Sequence, residues 1–276
     1  MSATIDWSGT SGDVWARRWR ETDRVLEPVG LALDRAIDRL LPDRPFRGLD
    51  VGCGPGTTSL ALADRRPDAS IVGCDLSQSL IAIARRRAQQ FNDLQFVAED
   101  AERAAAEHGP FELIFSRHGV MFFADPVRAF RAFRTAATAG AGLVFSCFQE
   151  WEANPWAAEL ASVAAGAPQS APGREPSGFA FADVDYVREI LWASGWADPQ
   201  VSPLSFTYVA GEGEAPVDQA LAFLADLGPA ARILDSYPEA DRTAGLERMR
   251  RAIESHERNG RVEFPAAVWI WSASAT

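Results

Sequence analysis

Apolar residues recur at close to a helical period from Asp13 to Leu41, with Trp15, Trp19, Val25, Leu26, Val29, Leu33, Ile37 and Leu40 on one face. Pro28 falls inside this stretch and predicts a division or kink. From Phe46 the rhythm changes. Phe46–Val51 is a short apolar run ending in Gly52-Cys53-Gly54-Pro55-Gly56, and helix-forming residues resume over Thr57–Arg65. Ser70–Cys74 predicts a second strand closed by Asp75, and Ser77 is placed to cap a helix reaching about Phe91. Leu94–Ala98 and Phe111–Ser116 predict two further strands, Asp125–Ala137 a helix and Gly142–Phe148 a fifth strand. Strand and helix alternating in this way imply a parallel sheet with helices on both faces. Ligands of such sheets bind beyond the carboxyl ends of the strands, where the strand order reverses.

The pattern loosens after the fifth strand. Trp151–Ala182 is rich in Pro, Gly and Ala and predicts a long irregular segment, a lid. Trp156, Phe179 and Phe181 within it are candidates for the wall of an apolar acceptor pocket. Asp183–Gly195 then predicts a helix, Gln200–Tyr208 a strand, Pro216–Asn259 an insertion of about two helices, and Arg261–Ser272 a last apolar strand. With 276 residues, 47% of them hydrophobic, the chain can bury one full core. It is read as a single domain: an N-terminal helical cap over 1–45, a cofactor-binding core over 46–150, the lid over 151–182 and the insertion over 216–259.

A net charge of −11 argues against nucleic acid, whose binding needs a basic surface to displace counterions. The Arg85–Arg87 run therefore reads as a solvated helix face. All 27 basic residues are Arg. The absence of Lys removes Schiff-base chemistry, the P-loop phosphate lysine and the Tyr-x-x-x-Lys pair of short-chain dehydrogenases. Cys53, Cys74 and Cys147 show neither metal-ligand nor disulfide spacing. No membrane span and no secretory signal is visible, so a reduced, cytoplasmic protein is expected.

The chemistry concentrates in three strand ends. In Leu49-Asp50-Val51-Gly52-Cys53-Gly54-Pro55-Gly56-Thr57, a strand turns through alternating glycines into a helix, leaving bare backbone for a ligand. A dinucleotide fingerprint needs Gly or Ala where Thr57 stands. Asp50 suits a ligand carrying an ammonium group. Asp75, 19 residues after Gly56, can accept both hydroxyls of a ribose, with Leu76 flanking a base. Glu99-Asp100-Ala101 ends the third strand, where Asp100 can accept from an adenine amino group or cap the next helix.

In this order the motifs resemble those of class I S-adenosylmethionine-dependent methyltransferases, closest to the ubiquinone/menaquinone-biosynthesis type. The matching pieces are Leu49–Gly56, Gly73-Cys74-Asp75-Leu76-Ser77, Glu99-Asp100-Ala101 and Phe111-Glu112-Leu113-Ile114-Phe115-Ser116. The resemblance implies an α/β, Rossmann-like, doubly wound sheet of seven strands with the last antiparallel, N-terminal helices and a helical insertion before the last strand. It implies S-adenosylmethionine as cofactor. Asp50 and Gly52, Cys53, Gly54 and Gly56 with Thr57 would face its methionine end, Asp75 and Leu76 the ribose and its flank, Asp100 and Ala101 the adenine, and Ser116 the sulfonium. Trp15, with Trp19 one turn away, can cover the cofactor.

The acceptor side is sparser. Ser116-Arg117-His118-Gly119 replaces the Asn-Pro-Pro-aromatic of amide and DNA nitrogen methylation, which leaves oxygen or carbon favoured. Ser116 also stands where catechol-type members carry a metal-binding Asp, so a metal-independent reaction on a small molecule is expected. His118 is the candidate base, and Arg117 a candidate partner for an acceptor carboxylate. Two other readings stay open: a nicotinamide-dependent Rossmann oxidoreductase and a non-catalytic S-adenosylmethionine-binding module.

Overall fold

Apolar runs that can be buried on both faces form the parallel part of one sheet: β1 (Arg47–Val51), β2 (Ser70–Asp75), β3 (Leu94–Ala98), β4 (Phe111–Arg117) and β5 (Ala137–Phe148). The computed structural model describes residues 6–276, so the first five residues of the expected 1–45 cap lie outside the described residues. Two long strands complete the sheet, β6 (Ala197–Glu212) and β8 (Arg261–Ser274), with the two-residue β7 (Glu257–Arg258) beside β8. The order is β3-β2-β1-β4-β5-β8-β6, and β8 runs antiparallel to both its neighbours. This is the seven-stranded sheet that the resemblance implies. The order reverses between β1 and β4, so their carboxyl ends diverge into a crevice. β6 is an edge strand, which explains why half-buried and exposed positions alternate over most of its length and why it accommodates Pro203.

Helices α4 (Thr57–Arg65) and α5 (Gln78–Arg87) join α3 (Glu27–Asp38) on one face, while α6 (Ala101–His108), α7 (Pro126–Ala136) and α9 (Val184–Ala193) cover the other. Phe130 and Phe133 of α7 are fully buried, each contributing roughly 1.5–3 kcal/mol by leaving water. α5 is capped by Ser77, whose hydroxyl accepts from Leu80 N at 3.2 Å, as its sequence predicts.

Three stretches differ from the sequence expectation. The long N-terminal helical pattern divides into α1 (Thr10–Arg17), α2 (Trp19–Val25) and α3, with breaks at Arg18 and Leu26. Pro28 lies in the first turn of α3, where its missing N–H costs no hydrogen bond. The expected irregular lid is helical over much of its first half, as α8 (Pro155–Ala165), because Trp156, Ala157, Leu160, Ala161 and Ala164 share a buried helical stripe. Its irregular backbone lies mainly beyond Gly166. The insertion has three helices, α10 (Pro216–Leu224), α11 (Pro229–Asp235) and α12 (Glu239–Ser255), since Gly228-Pro229 and Pro238 each end one helix and start another. No helix among the described residues is long and apolar enough to cross a membrane.

Candidate functional site

At the crevice a cavity of about 530 Å³ opens over the carboxyl ends of β1, β2 and β4. Asp50, Gly52, Cys53, Gly54, Asp75, Leu76, Asp100, Ala101 and Trp15 all line it, so most of the sequence-derived cofactor residues meet in one place. Gly54 holds a positive φ of 54°, and a side chain there would meet nothing within 4 Å, so the loop offers bare N–H and open space together. Asp75 fixes that loop: one carboxylate oxygen accepts from Gly54 N at 2.9 Å and the other from Ser77 N at 2.8 Å. Asp50 is buried and accepts from the Ser59 hydroxyl at 2.6 Å. Burial pushes its pKa up to about 7, against the Ser59 hydrogen bond and the charge of Arg117, which pull it down. Burial raises Cys53, Cys74 and Cys147 above the usual thiol range, which makes them packing residues rather than nucleophiles.

Gly56, Thr57 and Ser116 are corrected, while Asp100 and Leu76 keep their place on the cavity. Asp100 is exposed and caps α6, accepting from Glu102 N at 2.9 Å and Arg103 N at 3.3 Å, while still lining the cavity. Leu76 lines the cavity but is 43% exposed, at the rim. Gly56 lies off the cavity; a side chain there would strike Phe96 at 2.6 Å, so it serves the packing of α4. Thr57 also turns away, donating to Asp23 at 2.6 Å, and Thr58 takes its place on the cavity wall. Ser116 does not line the cavity. Its hydroxyl donates to Val51 O at 2.7 Å and accepts from Gly119 N at 3.1 Å, locking the β4 turn onto β1.

Asp23 of α2 is a junction that periodicity could not reveal. It accepts from Thr57, from Arg117 at 2.5 Å, and from Arg87 at 3.5 Å, tying the N-terminal helices to α4, α5 and β4. Arg117 is thus committed to an internal ion pair and lines the first cavity only. The Arg85–Arg87 run is only partly a solvated face. Arg85 donates to Phe96 O at 2.9 Å, and Arg87 donates to Pro55 O at 2.8 Å and lies over the Trp19 ring.

A second cavity of about 440 Å³ adjoins the first. Six residues line both: Trp7, Trp15, Thr22, Leu26, His118 and Phe122. The rest of its wall includes six aromatic residues, Phe148, Trp151, Trp156, Phe179, Tyr208 and Phe223. Trp156 stacks on Tyr208 with centroids 4.7 Å apart and planes at 3°, and Phe179 stacks on Phe148 at 5.4 Å. Phe181 is not part of it; it is buried in the sheet-helix core against Phe130 and Phe145. Trp7, Tyr208 and Phe148 carry no signal of this role in the sequence, because each belongs to an element whose register only folding reveals.

His118 stands in the shared wall with a left-handed φ of 60°, an uncommon backbone for a non-glycine residue. Its Nδ1 pairs with the Ser146 hydroxyl at 2.7 Å, and its Nε2 is buried without a partner among the described residues. Burial, reinforced by Arg117, pushes its pKa down to about 3, so the ring is neutral across the physiological range. At the edge of the first cavity Glu99, Glu107 and His108 bring their ligand atoms within 4.8 Å of one another; His108 and Glu99 are already paired at 3.2 Å.

Residues 49–140, which hold all three glycine-loop and strand-end motifs, match the family described as a methyltransferase domain. The match covers residues 49–140 alone, a third of this chain. A demethylmenaquinone methyltransferase of Thermus thermophilus is 35% identical over 96 residues, 34% of this chain and 44% of its own. A ubiquinone biosynthesis O-methyltransferase of Cereibacter sphaeroides is 31% identical over 144 residues, 52% of this chain and 56% of its own. The chain thus spans about half the length of these relatives. Among solved structures, a Haemonchus contortus phosphoethanolamine N-methyltransferase in complex with S-adenosylhomocysteine superposes with TM-score 0.54 at 14% identity, covering 96% of this chain and 57% of that one. The [4+2]-cyclase SpnF does so with TM-score 0.55 at 18% identity, covering 97% of each. At such identities the likeness is one of fold, and a cyclase among the neighbours shows that the methyltransferase fold carries more than one chemistry. Nothing in these matches supports a nicotinamide-dependent oxidoreductase.

Proposed function

We propose that this protein transfers the methyl group of S-adenosylmethionine to a small-molecule acceptor, with oxygen or carbon as the acceptor atom and no metal taking part. The observation that carries this is the pair of adjoining cavities: one on the methyltransferase core, the other aromatic, with His118 in the wall between them. The residues of the first fit the cofactor. Asp50 can pair with its ammonium, and each Asp75 oxygen, accepting only one backbone N–H, keeps a lone pair for a ribose hydroxyl. Asp100 and Ala101 flank the place for adenine, and Trp15 closes the cavity. When bound, S-adenosylmethionine supplies a methyl carbon already activated by its sulfonium, so the protein's task is in-line positioning and exclusion of water. His118, neutral and fixed by Ser146, can take a proton from an acceptor hydroxyl that becomes strongly acidic as the new bond forms. The division into cap, core, lid and insertion within one domain, and a reducing cytoplasmic setting that suits three buried free thiols, complete the proposal.

Transfer of labelled methyl from S-adenosylmethionine to a panel of phenolic and enolic acceptors tests the reaction. Turnover should persist after exhaustive EDTA treatment. Binding of the labelled donor without transfer to any acceptor would favour the non-catalytic binding module, and magnesium-restored turnover would overturn the metal-independent reading.

Asp50 sets an expected pH dependence. A carboxyl with its pKa near 7 in the free protein is half neutral there, and only the carboxylate pairs with an ammonium. Affinity for S-adenosylhomocysteine should therefore rise from pH 5.5 to 7 by up to about tenfold per unit and level off above. Titration calorimetry on wild type and Asp50→Asn is the check; an equally steep profile in the variant removes Asp50 from the ammonium site.

The exposed stretch 166–176 lies between α8 and the buried Ser177, and Gln169 and Ser170 line the second cavity. Limited proteolysis is expected to cut there in the free protein and to be suppressed by cofactor and acceptor together. Trp156→Ala should weaken acceptor binding while leaving cofactor affinity nearly unchanged, because Trp156 lines only the second cavity. Equal cleavage with and without ligands would make the stretch a fixed wall.

A further inference from the structure

The arginines around the site are almost all engaged. Arg18 donates to Asp226 at 2.8 Å, Arg24 to the carbonyl of Ala210 at 2.9 Å, and Arg117 to Asp23. Arg232 of α11 is different. It lines the second cavity, and among the described residues it makes neither a hydrogen bond nor an ion pair. Arg232 is exposed to water at the rim of this cavity, and the protein around it still lowers its pKa by partial desolvation, with no acid opposing the effect. Two carboxylates share this wall. Asp226 is neutralised by Arg18, and Asp235, exposed and three residues along the same helix, closes no ion pair with Arg232.

Position gives this guanidinium a direction. No residue of α11 lines the first cavity, whereas His118 lines both, so Arg232 belongs to the wall of the second cavity alone and His118 to the part shared with the first. The stacked Trp156 and Tyr208 and the ring of Phe223 line the same cavity. The Tyr208 hydroxyl makes no hydrogen bond among the described residues, and burial keeps the phenol protonated and able to donate. In a chain of net charge −11, an anion is repelled almost everywhere. A planar, unpaired guanidinium at the mouth of an aromatic cavity reverses that locally and suits a carboxylate or phosphate bidentately.

Resting on the reading of the second cavity as the acceptor site, we propose that the acceptor is a flat apolar molecule ending in an anion, a carboxylate or a phosphate, which Arg232 pairs while the methylated end lies at His118. A matched pair of probes tests this in the full chain saturated with S-adenosylhomocysteine: 8-anilinonaphthalene-1-sulfonate, and N-phenyl-1-naphthylamine, the same ring system without the anion. Arg232→Gln should weaken the sulfonate by about tenfold or more and leave the neutral dye within about twofold, the scale of one charge-assisted hydrogen bond. Arg232→Lys should recover part of the loss. Unchanged S-adenosylhomocysteine affinity shows that each variant is folded. Competition by 2-naphthoate and by 2-naphthyl phosphate, each lost in Arg232→Gln, then tells carboxylate from phosphate by which displaces the dye more strongly. Trp156→Ala should weaken both dyes. If it weakens both while Arg232→Gln changes neither, or changes them equally, the anion pairing is overturned and the acceptor cavity stands. If it weakens neither, the cavity takes no aromatic ligand, and the acceptor reading falls with the proposal.

Discussion

Replacing Asp75 with Ala is expected to weaken S-adenosylhomocysteine binding by about ten- to a hundredfold, the scale of 1.5–3 kcal/mol for charge-assisted hydrogen bonds. Two losses add. The ribose hydroxyls lose their acceptor, and Gly54 N and Ser77 N lose the carboxylate that holds the glycine loop against the end of β2. Asp75 is half-buried on the cavity wall, and its pKa is raised by burial and restrained by those N–H donors, so a hydrogen-bonded anion is held where a ligand must meet it. Asp75→Asn keeps the shape but offers an amide where acceptors are required, and it should recover little. Calorimetry on the folded variants checks this; affinity within a factor of two of wild type would remove Asp75 from the ribose site.

The second large effect is expected at Asp23. Its side chain is 16% exposed and that of Arg117 9%, so the pair is only weakly screened by water. Asp23→Ala leaves Arg87 and Arg117 facing each other without their common counter-charge, and the Thr57 hydroxyl, still accepting from Arg87 at 2.8 Å, loses its acceptor. Breaking a largely enclosed pair by removing one partner costs about 2–4 kcal/mol here, somewhat below the value for full burial. In a chain of this size that corresponds to a fall of roughly 5–10 °C in Tm. Asp23→Asn should lie between, since its oxygen still accepts from Thr57. A melting point within about 2 °C of wild type for Asp23→Ala would show that the junction is not a structural anchor.

The strands and the glycine loop were legible because their signals are local. The first four strands lie within a residue or two of expectation, as at Leu94–Ala98, whereas β5 begins five residues before the expected Gly142 and β6 overruns the expected Gln200–Tyr208 at both ends. Asp50, Gly54 and Asp75 could be read from spacing, because a turn of fixed geometry joins each strand to its helix. Ser116 and Thr57 could not, because a hydroxyl at a strand or helix end is free to choose a backbone or side-chain partner instead of a ligand. α8 was hidden by composition: its alanines and glycine-flanked end look like loop until Trp156 and Leu160 find a common buried stripe. Asp23 and Arg232 carry no local signal at all. What distinguishes them is the presence or lack of partners more than 30 residues away.

Four of the six residues common to both cavities, Trp7, Trp15, Thr22 and Leu26, come from one short stretch of chain that Asp23 fastens down. The two chambers therefore share a wall built mainly from one segment. Under the proposed reaction, loosening that segment uncovers donor and acceptor sides together, and a stronger clasp at Asp23 would lengthen both residence times.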